Sequence, residues 1–521
     1  VPPLRRILIA NRGEIALRVV RACRDLGISP VMVHSDADRD SLPVRLADRA
    51  LPIGEAPAAK SYLRVDVIIE AALRAGADAI HPGYGFLAEN ADFARATARA
   101  GLVFIGPPPE AMQAVGDKVE ARRLMSKHGV PIIPGLTDRA ADAGTVAAFA
   151  RQAGYPIVLK AAAGGGGKGM RVVRQEPDLA AALRMARSEA GASFGDDGIY
   201  AEKLLEGVRH VEIQILADAH GNAVHLGERE CSLQRRHQKL VEEAPSLAVT
   251  PDLRRRMGEL AVQVARISGY QNAGTVEFLL DREGRPYFME VNARLQVEHP
   301  VTEMVTGLDL VRAQIAVASG EPLAVRQEEI APRGWAIECR ILAEDPVNNF
   351  RPQPGRIRAL RLPSGPGIRV DTALQEGDEI SLHYDALIAK LIAWGADRDE
   401  AVRRMLRALA EFQVAGIRTT IPFDREVIGG EDFRSGRFDI AWVDTRIGAL
   451  RARLEAVDDA TAERAAIAAA VGSYEERRRA AGEAAHAGGG AMGGAAASAW
   501  AMAGRSAQMQ GRAARRGWSR P

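Results

Sequence analysis

Glu290, Asn292, Arg294, Gln296 and Glu298 occupy every second position of FMEVNARLQVEHP (288–300), with Val291, Ala293, Leu295 and Val297 between them. In an extended chain this spacing predicts one polar and one apolar face, whereas a helix would scatter the five polar groups around its circumference. Solvated faces of edge strands favour Thr, Lys and Glu. An ordered set of two carboxylates, two amides and a guanidinium fits a site better. Just upstream, GTVEFLLD (274–281) turns back through REGRP, a hairpin signal. With the turn centred between Glu283 and Gly284, Glu277 is expected to face Glu290. Two facing carboxylates repel unless a cation lies between them, and such hard oxygen ligands suit Mg²⁺ or Mn²⁺ on nucleotide phosphates.

A second chemical signal is the run GGGGKGM (164–170), which follows the apolar strand PIVLKA and precedes RVVR. Consecutive glycines let backbone N–H groups turn toward phosphate oxygens, and Lys168 adds charge. No Gly-Lys-Ser/Thr opens a helix here, so the run reads as a hairpin-like lid and not as a Walker A loop. Lys160, at the end of the entering strand, is placed to meet phosphates from below. The third signal is GERECSLQRRHQKLVEEAP (227–245), which gathers Gln234, His237 and Lys239. It lacks the interleaved aromatics of a nucleic-acid surface. Cys231 reads as a buried small hydrophobe, and His210 opens the alternating strand RHVEIQIL.

Composition sharpens these choices. The 521 residues carry 69 Lys+Arg against 67 Asp+Glu, a formal net charge of +2, so there is no general attraction to nucleic acid or membrane. Only eight of the basic residues are lysine. A compact ammonium on a phosphate is not replaced by a planar guanidinium without loss, so the surviving lysines mark candidate sites. Three widely separated cysteines exclude a disulfide framework and a Cys-rich zinc site. With no membrane-length apolar run and no signal-peptide pattern at VPPLRRILIANRGE, the expected location is the cytoplasm.

The elements that must position these residues fall into blocks. Residues 1–116 alternate strands (RILIA, PVMVHS, ADAIHP, LVFIG) with helices near Gly13–Leu26, Val65–Ala75 and Asn90–Ala100, which predicts a parallel α/β sheet. The single Gly13 in ANRGEIA, where a dinucleotide fingerprint needs three glycines, argues against nicotinamide or flavin binding. Residues 117–334 are mixed α/β, with the lid at about 132–204. Residues 335–445 form a third block with a helix near Asp399–Phe412. A charged helical extension is expected over 446–479, and the Ala/Gly/Arg-rich stretch 480–521 reads as disordered because it cannot bury a core.

Taken together, ANRGEIA, HPGYGFLAENA, Gly116-Asp117-Lys118, the glycine lid, RRHQK and MEVNARLQVEHPVTE resemble the biotin carboxylase family, the ATP-grasp component of biotin-dependent acyl-CoA carboxylases. The resemblance covers residues 4–445. It implies a fold of an N-terminal α/β domain, an ATP-grasp body with a mobile lid (Gly165, Gly166, Gly167, Lys168, Met170), and a C-terminal domain closing the site. It implies ATP at Lys118, Lys160, His210, Gln234 and His237, with Glu202, Lys203 and Leu205 as the adenine-side hinge. It places two Mg²⁺ or Mn²⁺ ions on Glu277, Glu290 and Asn292, bicarbonate at Lys239, Arg294, Gln296, Val297 and Glu298, and biotin facing Arg340. The implied partners are a biotin carboxyl carrier protein, a carboxyltransferase and a second copy of the chain. Because Lys390 is the last lysine and no Met-Lys-Met context follows it, biotin is expected in trans. The rival readings are another ATP-grasp ligase and a non-catalytic or truncated nucleotide-binding scaffold.

Overall fold

The computed structural model describes residues 4–136, 142–161 and 170–456. Val1–Ala452 form one compact unit; a second begins at Arg453, and of it only 453–456 are described. The lid residues Gly165, Gly166, Gly167 and Lys168, most of the extension placed at 446–479 and the whole stretch 480–521 lie outside the described residues.

The first block folds as a five-stranded parallel sheet, ordered Arg49–Gly54, Ser29–Ser35, Arg6–Ile9, Ala79–His81, Val103–Phe104. Ile7, Leu8 and Ile9 are wholly buried, as expected of a central strand covered on both faces. Gly13, at φ +66, makes the turn from the first strand into the helix Gly13–Asp25, a backbone conformation that favours glycine. The strand Arg49–Gly54 was not anticipated. It contains Pro52 and lies at the sheet edge, where a missing N–H is tolerated.

The site is carried by an eight-stranded antiparallel sheet. Its order is Pro286–Asn292, Asn272–Leu280, Arg209–Ala217, Ala223–Arg235, Gln238–Ala244, Trp335–Leu342, Leu387–Gly395, Ile368–Asp371. The sheet therefore continues across residue 335. One face packs on the helix Pro251–Ile267 through Met257, Ala261 and Val264 against Val211, Ile213, Phe278 and Phe288. A separate three-stranded sheet holds Ile157–Ala161 between Arg171–Val173 and Ile199–Lys203, so the strands flanking the glycine run do pair antiparallel.

Two expectations need correction. The polar alternation from Glu290 to Glu298 is not one strand: the strand ends at Asn292, and the chain then turns into the helix His299–Thr306 with Glu298 as its N-cap. Gln296 and Glu298 are consequently buried, whereas Val297 is half-buried. The hairpin turn also centres on Glu283, since Leu280 pairs with Pro286. A bulge between Glu277 and Phe278 leaves Met289 unpaired, and that extra residue brings Glu277 opposite Glu290.

Candidate active site

Glu277 and Glu290 are cross-strand partners, and each carboxylate has its own cation. Lys118 opens the helix Lys118–Lys127, which Asp117 caps by accepting from the Val119 and Glu120 amides; its ammonium lies 2.6 Å from Glu290. Glu277 accepts from Lys239 at 2.9 Å and lies 3.1 Å from His210 Nε2. Burial opposes both charges, but Lys239 and His210 outweigh it and hold Glu277 well below the usual carboxylate range. Glu277 in turn raises the His210 imidazole against the opposing effect of burial. Asn292 accepts from Arg294 at 3.1 Å, and its Nδ2 is buried without a partner among the described residues.

Lys239 is the hub of the site. Its ammonium reaches Glu212 at 2.6 Å, Glu277 at 2.9 Å and Glu298 at 2.7 Å, three carboxylates from three different segments. Burying an ammonium is tolerable only with such pairing, and the three acids hold its pKa well above the ordinary value against burial. Glu298 is wholly buried. Its second oxygen accepts from Arg340 at 2.9 Å, and Arg340 Nε donates to Glu242 at 2.6 Å. Burial alone would raise the Glu298 pKa, yet Lys239, Arg340 and Arg229 together hold it well below the carboxylate range.

Arg294 donates to Glu89 at 2.9 Å and to Gln296 at 3.3 Å, and Gln296 Nε2 is buried without a partner among the described residues. Arg294, Val297 and Arg340 line a cavity of about 490 Å³ whose far wall includes Arg12, Glu14 and Tyr84 from the first block. Gln234 and Lys239 pair next to the tight turn at Arg236 and His237, both in the left-handed region at φ +49 and +66. His237 is exposed at this tip, and partial burial followed by the charge of Lys160 lowers its imidazole. Lys160 pairs with Glu202 at 2.5 Å, and Glu202 is also held by Arg122 at 2.5 Å. Lys203 turns its side chain to the carbonyls of Gly154 and Tyr155, Leu205 follows it half-buried, and Met170 is half-buried at the exit of the lid.

Several residues of this network escaped sequence reasoning. Glu212 and Gln214 share a face with His210 in RHVEIQIL, and the same every-second-residue rule would have found them. Arg229 bonds Glu212, Gln214, Thr275 and Thr302 from wholly buried surroundings. Glu14 and Glu89 come from a different block; they lie within ANRGEIA and HPGYGFLAENA, but nothing in those strings indicates that they reach this site.

The arrangement combines hard oxygen ligands, lysines directed at them, and a buried carboxylate clamped between two cations beside a cavity. It can neutralise polyphosphate and hold a small anion next to a base.

Known families match the chain along most of its length. The family models of the biotin carboxylase N-terminal domain, the carbamoyl-phosphate synthase L chain ATP-binding domain and the biotin carboxylase C-terminal domain match residues 3–112, 117–326 and 338–445. The chain is 52% identical over 443 residues to biotin carboxylase 1 of Bacillus subtilis, covering 85% of this chain and 98% of that one. It is 50% identical over 483 residues to a pyruvate carboxylase subunit of Methanothermobacter thermautotrophicus, covering 90% and 98%. Among solved structures, the biotin carboxylase domain dimer of Hydrogenobacter thermophilus 2-oxoglutarate carboxylase, in complex with MgADP, ADP and bicarbonate, superposes with a TM-score of 0.84 at 45% identity, covering 86% of this chain and 99% of that one. A Campylobacter jejuni biotin carboxylase complex with β,γ-ATP gives 0.83 at 44%, covering 85% and 99%. The chain belongs to the biotin carboxylase family of ATP-grasp enzymes.

Proposed function

We propose that this chain carries out ATP-dependent carboxylation of biotin with bicarbonate through the residues gathered around Lys239 and Glu298. The observation that carries the reading is the clamp on Glu298: a fully buried carboxylate touching Lys239 on one oxygen and Arg340 on the other. Lys118, Lys160, His210, Gln234 and His237 bind ATP, with Glu202, Lys203 and Leu205 at the adenine end, and the glycine run with Lys168 serves the phosphates. Glu277, Glu290 and Asn292 offer hard oxygen donors on one hairpin, and this set fits Mg²⁺ or Mn²⁺. A divalent ion held there would neutralise charge on the transferring phosphates.

Lys239, Arg294, Gln296 and Val297 hold bicarbonate, and Glu298 takes its proton. The freed oxygen attacks the γ-phosphorus, ADP leaves, and carboxyphosphate forms. A carboxylate held as low as Glu298 is a weak base while both cations stay on it. Arg340 is the cation that faces the cavity, and the neutral ureido carbonyl of a docked biotin, by drawing Arg340 off Glu298, raises the basicity of that carboxylate before the bicarbonate proton is taken. Carboxyphosphate then splits to CO₂ and phosphate. The phosphate accepts the ureido N–H proton, and the nitrogen adds to CO₂.

Biotin arrives on a carrier protein, and the finished carboxyl group passes to a carboxyltransferase of acetyl-, propionyl- or methylcrotonyl-CoA type. The human propionyl-CoA carboxylase alpha chain, 50% identical over 433 residues, supports that class, while the pyruvate carboxylase relative keeps other acceptors in play. A homodimer is supported by the dimeric Hydrogenobacter neighbour, and the three unpaired buried cysteines suit a reducing cytoplasm. No described helix is long and apolar enough to cross a membrane. The division at 116/117 and 334/335 stands as our assignment of functional blocks.

The test is ADP release from purified protein with ATP, Mg²⁺ and free biotin, with and without bicarbonate. Release that needs bicarbonate and is stimulated by biotin is expected. Release indifferent to bicarbonate favours another ligase, and no release favours a scaffold.

A further inference from the structure

Lys390 is a buried cation that the reaction above does not use. Of the eight lysines, five fall in the ATP, lid and bicarbonate motifs, and Lys60 and Lys127 are exposed. Lys390 is wholly buried in the strand Leu387–Gly395, within the HYDALIAKLIAWG segment. An unpaired ammonium at such a place would be expelled or neutralised, so its partners define its purpose. Its Nζ donates to the Val297 carbonyl at 3.0 Å and lies 3.1 Å from Glu14 and 3.8 Å from Asp371.

The register shows what these contacts do. Lys390 pairs directly with Arg340 on the neighbouring strand and with Asp371 on the other side. Arg340 holds the Glu298 side chain, and Lys390 holds the backbone carbonyl of the residue before it. Two cross-strand cations thus pin two consecutive residues, one through the side chain and one through the main chain. This segment lies between the end of the strand at Asn292 and the helix starting at His299, so no ladder hydrogen bonds fix it. Glu14, the second partner, also accepts from the Tyr84 hydroxyl and lines the same cavity as Arg294, Val297 and Arg340.

We propose that Lys390 is a positioning residue: through the Val297 carbonyl it holds the Gln296–Glu298 turn in the shape that receives the small anionic substrate, and through Glu14 it ties that turn to the cavity wall. A lysine suits the role because its ammonium is a compact point donor that can address a carbonyl and two carboxylates in different directions, which a planar guanidinium cannot. The proposal rests on the bicarbonate reading of this turn.

The experiment compares Lys390→Met and the double variant Lys390→Met/Glu14→Gln with wild type, measuring KM for bicarbonate and for ATP together with thermal melting. The double variant removes the carboxylate left uncompensated by the single change, which guards against simple loss of fold. The expected result is a bicarbonate KM raised about tenfold or more, the scale of one lost hydrogen bond from a charged donor, with the ATP KM within about twofold. A folded variant whose bicarbonate KM stays within about twofold of wild type overturns the proposal, as does a parallel rise of both KM values. Wild-type protein that shows no bicarbonate-dependent ADP release overturns the functional reading itself, and the proposal with it.

Discussion

Glu242 and Glu338 lie opposite each other on adjacent antiparallel strands, both wholly buried, and Glu242 accepts from Arg340 whereas neither oxygen of Glu338 has a hydrogen-bond partner among the described residues. Burial raises both carboxyls. Glu242 is pushed up to about 7 despite Arg340, and Glu338 goes well above the usual carboxylate value despite Lys390. Arg340 reaches both Glu242 and Glu298 but not Glu338, so of these three buried carboxyls Glu338 is the one burial acts on with least opposition.

This has a consequence for stability against pH. Above about pH 4.5 an unfolded glutamate has released its proton while folded Glu338 keeps it, so the native state binds more protons and stability falls as pH rises toward the folded-state pKa. Glu338→Gln has no proton to lose. Its melting temperature relative to wild type should therefore rise as the pH is taken upward from about 5. A difference that stays constant over this range contradicts a protonated Glu338.

Glu298→Gln preserves shape and removes the base. Bicarbonate-dependent ATP cleavage should fall by about 10²-fold or more, with nucleotide affinity retained. Turnover within a few-fold of wild type would remove Glu298 from the proton-transfer step.

Glu89 accepts from the Ala293 amide at 2.8 Å and from Arg294 at 2.9 Å, and so anchors the guanidinium from a different block. Glu89→Ala should raise the bicarbonate KM by roughly tenfold and leave the ATP KM unchanged, because one charged hydrogen bond is lost at the anion side alone. Steady-state kinetics with each substrate varied checks this, and an equal rise in both constants would count against the anchoring role.

Valine at both Gly165 and Gly166 should raise the ATP KM far more than it lowers the melting temperature, since β-branched side chains obstruct backbone approach to phosphate. A loss of fold equal to the loss of affinity would give these glycines a structural purpose.

The sequence exposed the residues of this site better than their conformation. Alternation along 288–300 found Glu290, Asn292, Arg294, Gln296 and Glu298, but period two cannot distinguish a strand from a turn that continues it, and Pro300 within the first turn of His299–Thr306 was the available sign that a helix begins there. The pairing of Glu277 with Glu290 was anticipated from a turn centre displaced by half a residue, and the bulge at Met289 compensated. Bulges depend on local twist and have no reliable sequence signature. The scarcity of lysine pointed to Lys118, Lys160 and Lys239, and it also contained Lys390, whose partners lie in segments far apart in sequence. Glu14, Glu89 and Glu242 stayed hidden for the same reason: only the packing of separate blocks brings them to the site.

In the reaction proposed above, bicarbonate attacks the γ-phosphorus and the C–O bond of the resulting carboxyphosphate then breaks. Bicarbonate labelled with heavy oxygen tests this directly when supplied with ATP, Mg²⁺ and biotin. One labelled oxygen should appear in each inorganic phosphate formed, in step with carboxybiotin. Unlabelled phosphate accompanying carboxybiotin would mean that water cleaves ATP and that Glu298 activates a different nucleophile.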